Sequence, residues 1–515
     1  MSSTILLKNG TALVHDANGK PIATRCDILI TGATITDIRD SIEVPSVSTE
    51  VIDCESCIIS AGFIDTHHHL WQTALKGLHA DHTLLEYFAP GNFTSSLYDP
   101  NDVYWGQLAG ALEAIDAGTT TVVDHSHINY SPEHSRAAIK ATVDSGLRCF
   151  YCYCATPRVK AWSPIFEIDQ DFLPEWVIPT LLELASAPLA PQNRVALGFA
   201  FDGFPYLPPA AIRSLLQTVY DAGVRIVTAH ANAGPTWGQN QQSLFEVLND
   251  KGALALPHGP AGPTDDPMHF IGSHASYLEA SSAVTTLFKD YYPTLNFSST
   301  PTTEMTMSLT HPRAMEPELQ PHGSIGVDCH SACSASIPGQ MRLMLAQARS
   351  ARDAKLAAKG RWPSEVGKGL GVEEAYNLGT VSGARTVGME KQIGSLFVGG
   401  KADVVVISCD GPGMLGIGDG DELAGVVAHS GPADVAHVII DGIFRKRSGH
   451  LVLDDVQTNG QKTTWEDVVK KVKASRMKIR KEVEHLDMHA ATSQIATAFH
   501  LNMGAAVGSD GDLNH

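Results

Sequence analysis

No run of about 18 apolar residues occurs anywhere in the chain, which excludes an ordinary membrane-spanning helix. The opening stretch "MSSTILLKNGTALVHD" lacks the charged segment and long apolar core of a secretion signal. Basic residues are also scarce: 37 Lys and Arg stand against 56 Asp and Glu, a formal net charge of -19. Nucleic acid and anionic membrane surfaces call for a basic stripe, so neither is expected as a partner. The nine cysteines are scattered and odd in number, which argues against a disulfide framework. One C-x-x-C lies in "CFYCYC" at 149–154, but the alternating apolar context reads as a buried strand. A soluble, unprocessed, cytoplasmic protein is expected.

What is present is enough apolar material, 43% of 515 residues, for a large core. The middle of the chain repeats one grammar. Eight β-rich apolar segments each run into a polar or histidine-bearing end: "CIISAGFIDTHHH", "TTTVVDHSH", "LRCFYCYCAT", "VALGFAFDG", "VRIVTAHAN", "HFIGSHAS", "TLNFSST" and "SIGVDCHSA". Helical stretches lie between them. "NDVYWGQLAGALEAIDAG" opens on an asparagine N-cap candidate, and "SPEHSRAAIKATVDSG" and "PPAAIRSLLQTVYDAG" run from Pro to Gly. Buried strands alternating with helices imply parallel strands and crossover helices, and eight of them imply a (β/α)8 TIM barrel. Residues 1–57 and 386–455 instead carry short alternating strands with Gly, Asn and Asp turns. They are expected to form one small β-sandwich domain from both chain ends, flanking a barrel domain at 58–385. Residues 456–515 are expected to hold a charged helix and a fraying tail.

The row His67-His68-His69 in "GFIDTHHHLWQTALKG" could be a metal site, a chance cluster or a surface patch. Strand alternation puts His67 and His69 on one side and His68 on the other, towards the helices. An H-x-H pair can then bind one metal from two inward positions. His230, His274 and Asp328 close other strands, and residues at the C-terminal ends of barrel strands share one mouth. Imidazoles with a carboxylate suit zinc or ferrous iron, with a position left open for water.

"GFIDTHHHLWQTALKG", "TAHANAG", "GSHASYLEA", "STPTTEMTM" and "GVDCHSA" resemble barrel segments of the amidohydrolase superfamily, in the branch of triazine chlorohydrolases and S-adenosylhomocysteine-type (cytosine deaminase-like) deaminases. "IGSLFVGGKADVVVI" resembles its C-terminal β segment. The resemblance implies His67, His69, His230 and Asp328 as ligands of one divalent ion per chain, zinc first, iron or manganese as alternatives. It implies that Asp328 takes a proton from the attacking water and that His274 contacts that water or the substrate. It also implies a homodimer. Strand 4 offers no lysine to carbamylate, which favours a single ion.

Deaminases of this branch carry a glutamate three residues after the strand-5 histidine, where this chain has Ala233. Glu304, in "STPTTE", stands where an asparagine is common. It either supplies the missing proton shuttle and a contact to substrate nitrogen, or is a structural rim carboxylate. Trp71 and Gln72 open a long loop that could lid the site. His127 and Tyr277 either face the substrate or pack structurally. The expected activity is metal-dependent hydrolysis of a C–N bond in a small nitrogen heterocycle or cyclic amide. Rival readings are a dechlorinase or N-dealkylase, a dehydratase or decarboxylase on the same rim, and a non-enzymatic barrel scaffold.

Overall fold

The structure is a computed structural model, and it describes all residues except 1–2, 170, 172, 205, 232–243, 253, 255–265, 275–281, 308, 310, 455, 459–460, 502 and 508–515. Eight parallel strands form the barrel: β1 (Phe63–His68), β2 (Thr119–Ser126), β3 (Arg148–Cys154), β4 (Val195–Ala200), β5 (Ile226–His230), β6 (His269–Ser273), β7 (Leu295–Ser299) and β8 (Gly323–Ile325). Every residue of β1 and β2 is buried, as expected for strands covered on both faces. A helix follows each strand: α1 (Pro100–Asp116), α2 (Pro132–Ser145), α3 (Val177–Ala185), α4 (Pro209–Asp221), α5 (Leu244–Asp250), α6 (Ser282–Asp290), α7 (Pro301–Thr306) and α8 (Ile337–Ala357). The "CFYCYC" stretch lies in β3 as a buried strand, and its cysteines are free.

Two local expectations are corrected. The N-cap of α1 is Asp99 rather than the asparagine: its carboxylate accepts from the Asn101 and Asp102 amides, and Pro100 takes the first helical position. "CIISAGFIDTHHH" is two strands, not one. Cys57–Ala61 pairs antiparallel with Val404–Ser408, and only after Gly62 does the chain enter the barrel.

Cys57–Ala61 belongs to a nine-stranded sheet drawn from both ends of the chain, including Thr4–His15, Pro21–Thr31, Val404–Ser408 and Val435–Ile440. Period-two alternation splits these strands between two cores. Val404, Val406, Ile439 and Ile59 pack into the sheet's own apolar cluster, whereas Val405, Ile407, Val438, Ile440 and Ile58 pack into the barrel's. Beyond Met389, then, the chain returns to complete a layer begun by its first strands. Among the described residues no helix is long and apolar enough to cross a membrane.

The barrel closes where β8 meets β1. The Val327 and Asp328 amides both donate to His67 O, at 3.1 and 2.8 Å, and the His69 amide donates to Asp328 O at 3.1 Å. Thr66 Oγ1 bridges to Ser324 Oγ at 2.8 Å and to Ile325 O at 3.0 Å. Gly326 makes this approach possible, because a Cβ there would sit 2.7 Å from His67 O and 2.8 Å from His67 N.

A second join ties barrel to sheet. Arg148, opening β3, is buried and forks onto Asp403 at 2.7 and 3.0 Å and onto Asp441 at 2.5 Å. Asp403 in turn accepts from the Asp441 amide at 2.9 Å. Removing the arginine leaves the buried Asp403 without its ion-pair partner and Asp441 with Lys401 alone, so Arg148→Ala should lower unfolding free energy by roughly 3–5 kcal/mol in urea titration. An unchanged midpoint would mean that the pairing contributes nothing to joining the two layers.

Candidate metal centre

β1 delivers His67 and, one residue past its end, His69 to the barrel mouth, β5 delivers His230, and the residues just after β6 and β8 include His274 and Asp328. These last two adopt left-handed backbone conformations, φ 58° and 68°, uncommon for residues other than glycine. Asp328 lies three residues beyond the end of β8, where an isolated parallel bridge to His68 of β1 holds it. Such strain, of order 1–3 kcal/mol per residue, persists where surrounding structure over-determines it.

Asp328 is the hub. Its Oδ1 lies 3.1 Å from His67 Nε2 and 3.0 Å from His69 Nε2, and its Oδ2 is 3.3 Å from His274 Nε2. His230 Nε2 approaches His69 Nε2 at 3.4 Å. Potential ligand atoms of His67, His230, His274 and Asp328 all fall within 4.8 Å of one another, a spacing that one cation can span. His69 donates through Nδ1 to His125 O at 2.7 Å, which leaves Nε2 turned to Asp328.

Burial and charge act oppositely here. Burial holds His67 well below its ordinary pKa and lowers His69, which keeps both imidazoles neutral. Burial also opposes the charged form of Asp328, but His274 and the hydrogen bond from His67 outweigh it and hold the carboxyl well below the usual range. Burial likewise opposes protonation of His274, yet the Asp328 charge and hydrogen bond, with Glu304 and Asp202, raise it overall. Neutral imidazoles beside an ionised carboxylate are the forms that bind a cation.

His68 stands apart, as alternation predicts. It is buried, with Nδ1 2.7 Å from Asp65 Oδ2 and Nε2 2.9 Å from His330 Nδ1. His330 Nε2 continues to Glu113 of α1 at 3.1 Å, and Lys76 meets the same glutamate. Asp65 Oδ1 accepts from the His67 and Val327 amides at 3.2 and 3.1 Å, so the chain of polar contacts braces the seam. Burial pushes His330 down to about 4.

The remaining expected site residues divide. Glu304 is buried in the first turn of α7, and its Oε1 accepts from the Thr300 amide at 2.6 Å, while Thr300 Oγ1 lies 3.3 Å from His274 Nδ1. His127 is buried with its ring centroid 4.0 Å from that of His69, and its Nδ1 has no hydrogen-bond partner among the described residues. Trp71 is fully buried, edge-on to Tyr98 and His127 at 5.1 and 5.5 Å. Gln72 has its amide committed, donating to Tyr87 OH at 2.6 Å and accepting from Ser331. Tyr277 and Ala233 lie outside the described residues.

Sequence reasoning passed over three residues. Asp202, two residues after β4, binds His230 through both its ring and its amide. His125 is fully buried at the end of β2, its Nε2 3.6 Å from Asp202 Oδ2. His330 partners His68. The string "FAFDG" carried the signal for Asp202: a carboxylate just past a strand end, overlooked in a search for lysine alone.

A model of the amidohydrolase family matches residues 58–444. A 5-methylthioadenosine/S-adenosylhomocysteine deaminase of Syntrophobacter fumaroxidans is 23% identical over 88% of this chain and 93% of its own. An isoxanthopterin deaminase of an unknown prokaryotic organism is 26% identical over 84% of this chain and 87% of its own. Among solved structures, an atrazine chlorohydrolase from Arthrobacter aurescens complexed with zinc superposes with a TM-score of 0.71, at 19% identity over 92% of this chain and all of that one.

The brace behind the seam makes its own demand. His68→Ala leaves Asp65 Oδ2 and His330 Nδ1 without this partner in the interior, and it should cost roughly 1–3 kcal/mol in urea unfolding. A variant as stable as the parent would show that water replaces the imidazole at no cost.

Proposed function

The chain belongs to the amidohydrolase family, and from that premise we propose that it is a hydrolase that removes an amino group from a ring carbon of a small nitrogen heterocycle. The observation that carries this reading is the convergence of His67, His69, His230, His274 and Asp328 at one end of the barrel. The donor set fits a resident zinc, with iron or manganese as alternatives: neutral imidazole nitrogens and one carboxylate, largely withdrawn from water. His67, His69, His230 and Asp328 would hold one ion per chain. When bound, the ion supplies Lewis acidity and lowers the pKa of water at the site.

The protein's own groups do the rest. Asp328, ionised and central, accepts the proton of the attacking water and hands it on towards the departing nitrogen. His274, with its raised pKa, donates to the charge that develops on the ring as the carbon becomes tetrahedral. Thr300 Oγ1 sits behind His274, and the Glu304 charge favours the protonated form of that ring. His127, with Nδ1 beside His69 and unpartnered among the described residues, supplies a further contact for a polar ring. The curated deaminases acting on adenosine derivatives and a pterin support an aminopurine or pterin-like substrate.

A second reading has its own observation. With Ala233 in the place of a glutamate, the sequence offers no carboxylate three residues after His230, which suits a group that departs without a proton, such as chloride. The similarity to an atrazine chlorohydrolase is one of fold alone.

A screen of aminopurine nucleosides, pterins, pyrimidines, triazines and cyclic amides on zinc-loaded protein, following ammonia and product mass, separates the two. Deamination predicts ammonia with one solvent oxygen in the product, and chelation abolishes it until zinc is restored. Asp328→Asn should cut turnover by about 10²–10⁴-fold. His67→Ala and His69→Ala should lose metal and activity together. Turnover that survives both Asp328→Asn and chelation would remove the proposal.

A further inference from the structure

His230 presents two nitrogens to two different neighbours. Nε2 faces the cluster, 3.4 Å from His69 Nε2, whereas Nδ1 lies 2.9 Å from Asp202 Oδ2. The other carboxylate oxygen, Asp202 Oδ1, accepts the His230 backbone amide at 2.7 Å. One side chain therefore grips both the main chain and the ring of the same residue. A carboxylate only accepts, so Nδ1 carries a proton, and the neutral ring in that tautomer has its lone pair on Nε2. His125, fully buried, stands 3.6 Å from the same Oδ2 and limits where that carboxylate can swing.

His125, Asp202 and His230 are also spaced closely enough to surround a cation of their own. An ion there would need His230 Nδ1 as a ligand while Nε2 serves the main cluster, which requires the imidazole to lose its last proton. The hydrogen bond to Asp202 is the less costly arrangement.

We propose that Asp202 is a positioning residue: it fixes the ring orientation and tautomer of His230, and so sets the affinity of the centre for its ion. The inference rests on His230 being a ligand, as proposed above. Carboxylates placed behind ligating histidines do this in metal sites generally, and their loss costs 10–100-fold in metal affinity.

The test measures zinc affinity by chelator competition in the full-length protein, with the absorption spectrum of the cobalt-substituted form as a second readout. Thermal unfolding of the metal-free form checks folding. Asp202→Ala should bind zinc about 10–100-fold more weakly and shift the cobalt spectrum. Asp202→Asn keeps an acceptor oxygen and should fall between the two, and it carries the comparison if the alanine variant fails to fold. Wild-type affinity and spectrum in the Asp202 variants, with loss in His230→Ala, overturns the inference alone. Wild-type affinity in His230→Ala as well overturns the ligand set and the inference with it. A wild type that holds two equivalents and an Asp202→Ala that holds one also overturns it, by making Asp202 a ligand.

Discussion

The last strand of the barrel has to meet the first, and the site depends on how closely it does so. The amides of Val327 and Asp328 converge on one carbonyl, His67 O, and the His69 amide returns the contact to Asp328 O. Those hydrogen bonds hold the Asp328 carboxylate against His67 and His69. Closure of the barrel and assembly of the site are thus one event. The glycine at 326 is the steric condition for it, since any side chain there would wedge against His67.

Around that seam the molecule accepts two costs that a purely structural barrel would avoid. Two residues of the cluster hold left-handed backbone, and several imidazoles are buried side by side with pKa values pushed down. Neither feature stabilises the fold. Both are compensated outside the pocket: by the Asp65–His68–His330–Glu113 contacts on the outer face of β1, and by Asp202 behind His230. The mouth is polar and strained because its backing is firmly bonded.

Much of this was legible in the chain because strands impose a period of two. The H-x-H spacing separated His67 and His69 from His68, and the polar ends of apolar segments marked His230, His274 and Asp328 before any contact was known. What escaped is what periodicity does not encode. The partner of His68, namely His330, lies 262 positions away, and only the closed barrel brings them together. Gln72 has the chemistry of a binding residue, but Tyr87 and Ser331 take up its amide. The split at Gly62 was hidden because the β-forming "CIISA" segment leads straight on to the apolar Phe63 and Ile64, so composition carries no mark of the change of sheet.

The nine-stranded sheet imposes an order on the protein's birth. Strand Thr4–His15 finds its neighbour Cys57–Ala61 early, but Val404–Ser408, which covers the far edge of Cys57–Ala61, is made long afterwards. At the usual 5–20 residues per second, the delay on the ribosome is about 20–70 s. Through that interval Ile59 and Ala61 lack their apolar partners Val404 and Val406, and an open β edge waits in a crowded cell. A truncation after the barrel would leave that edge of Cys57–Ala61 uncovered for good, an open strand of the kind that pairs with other chains.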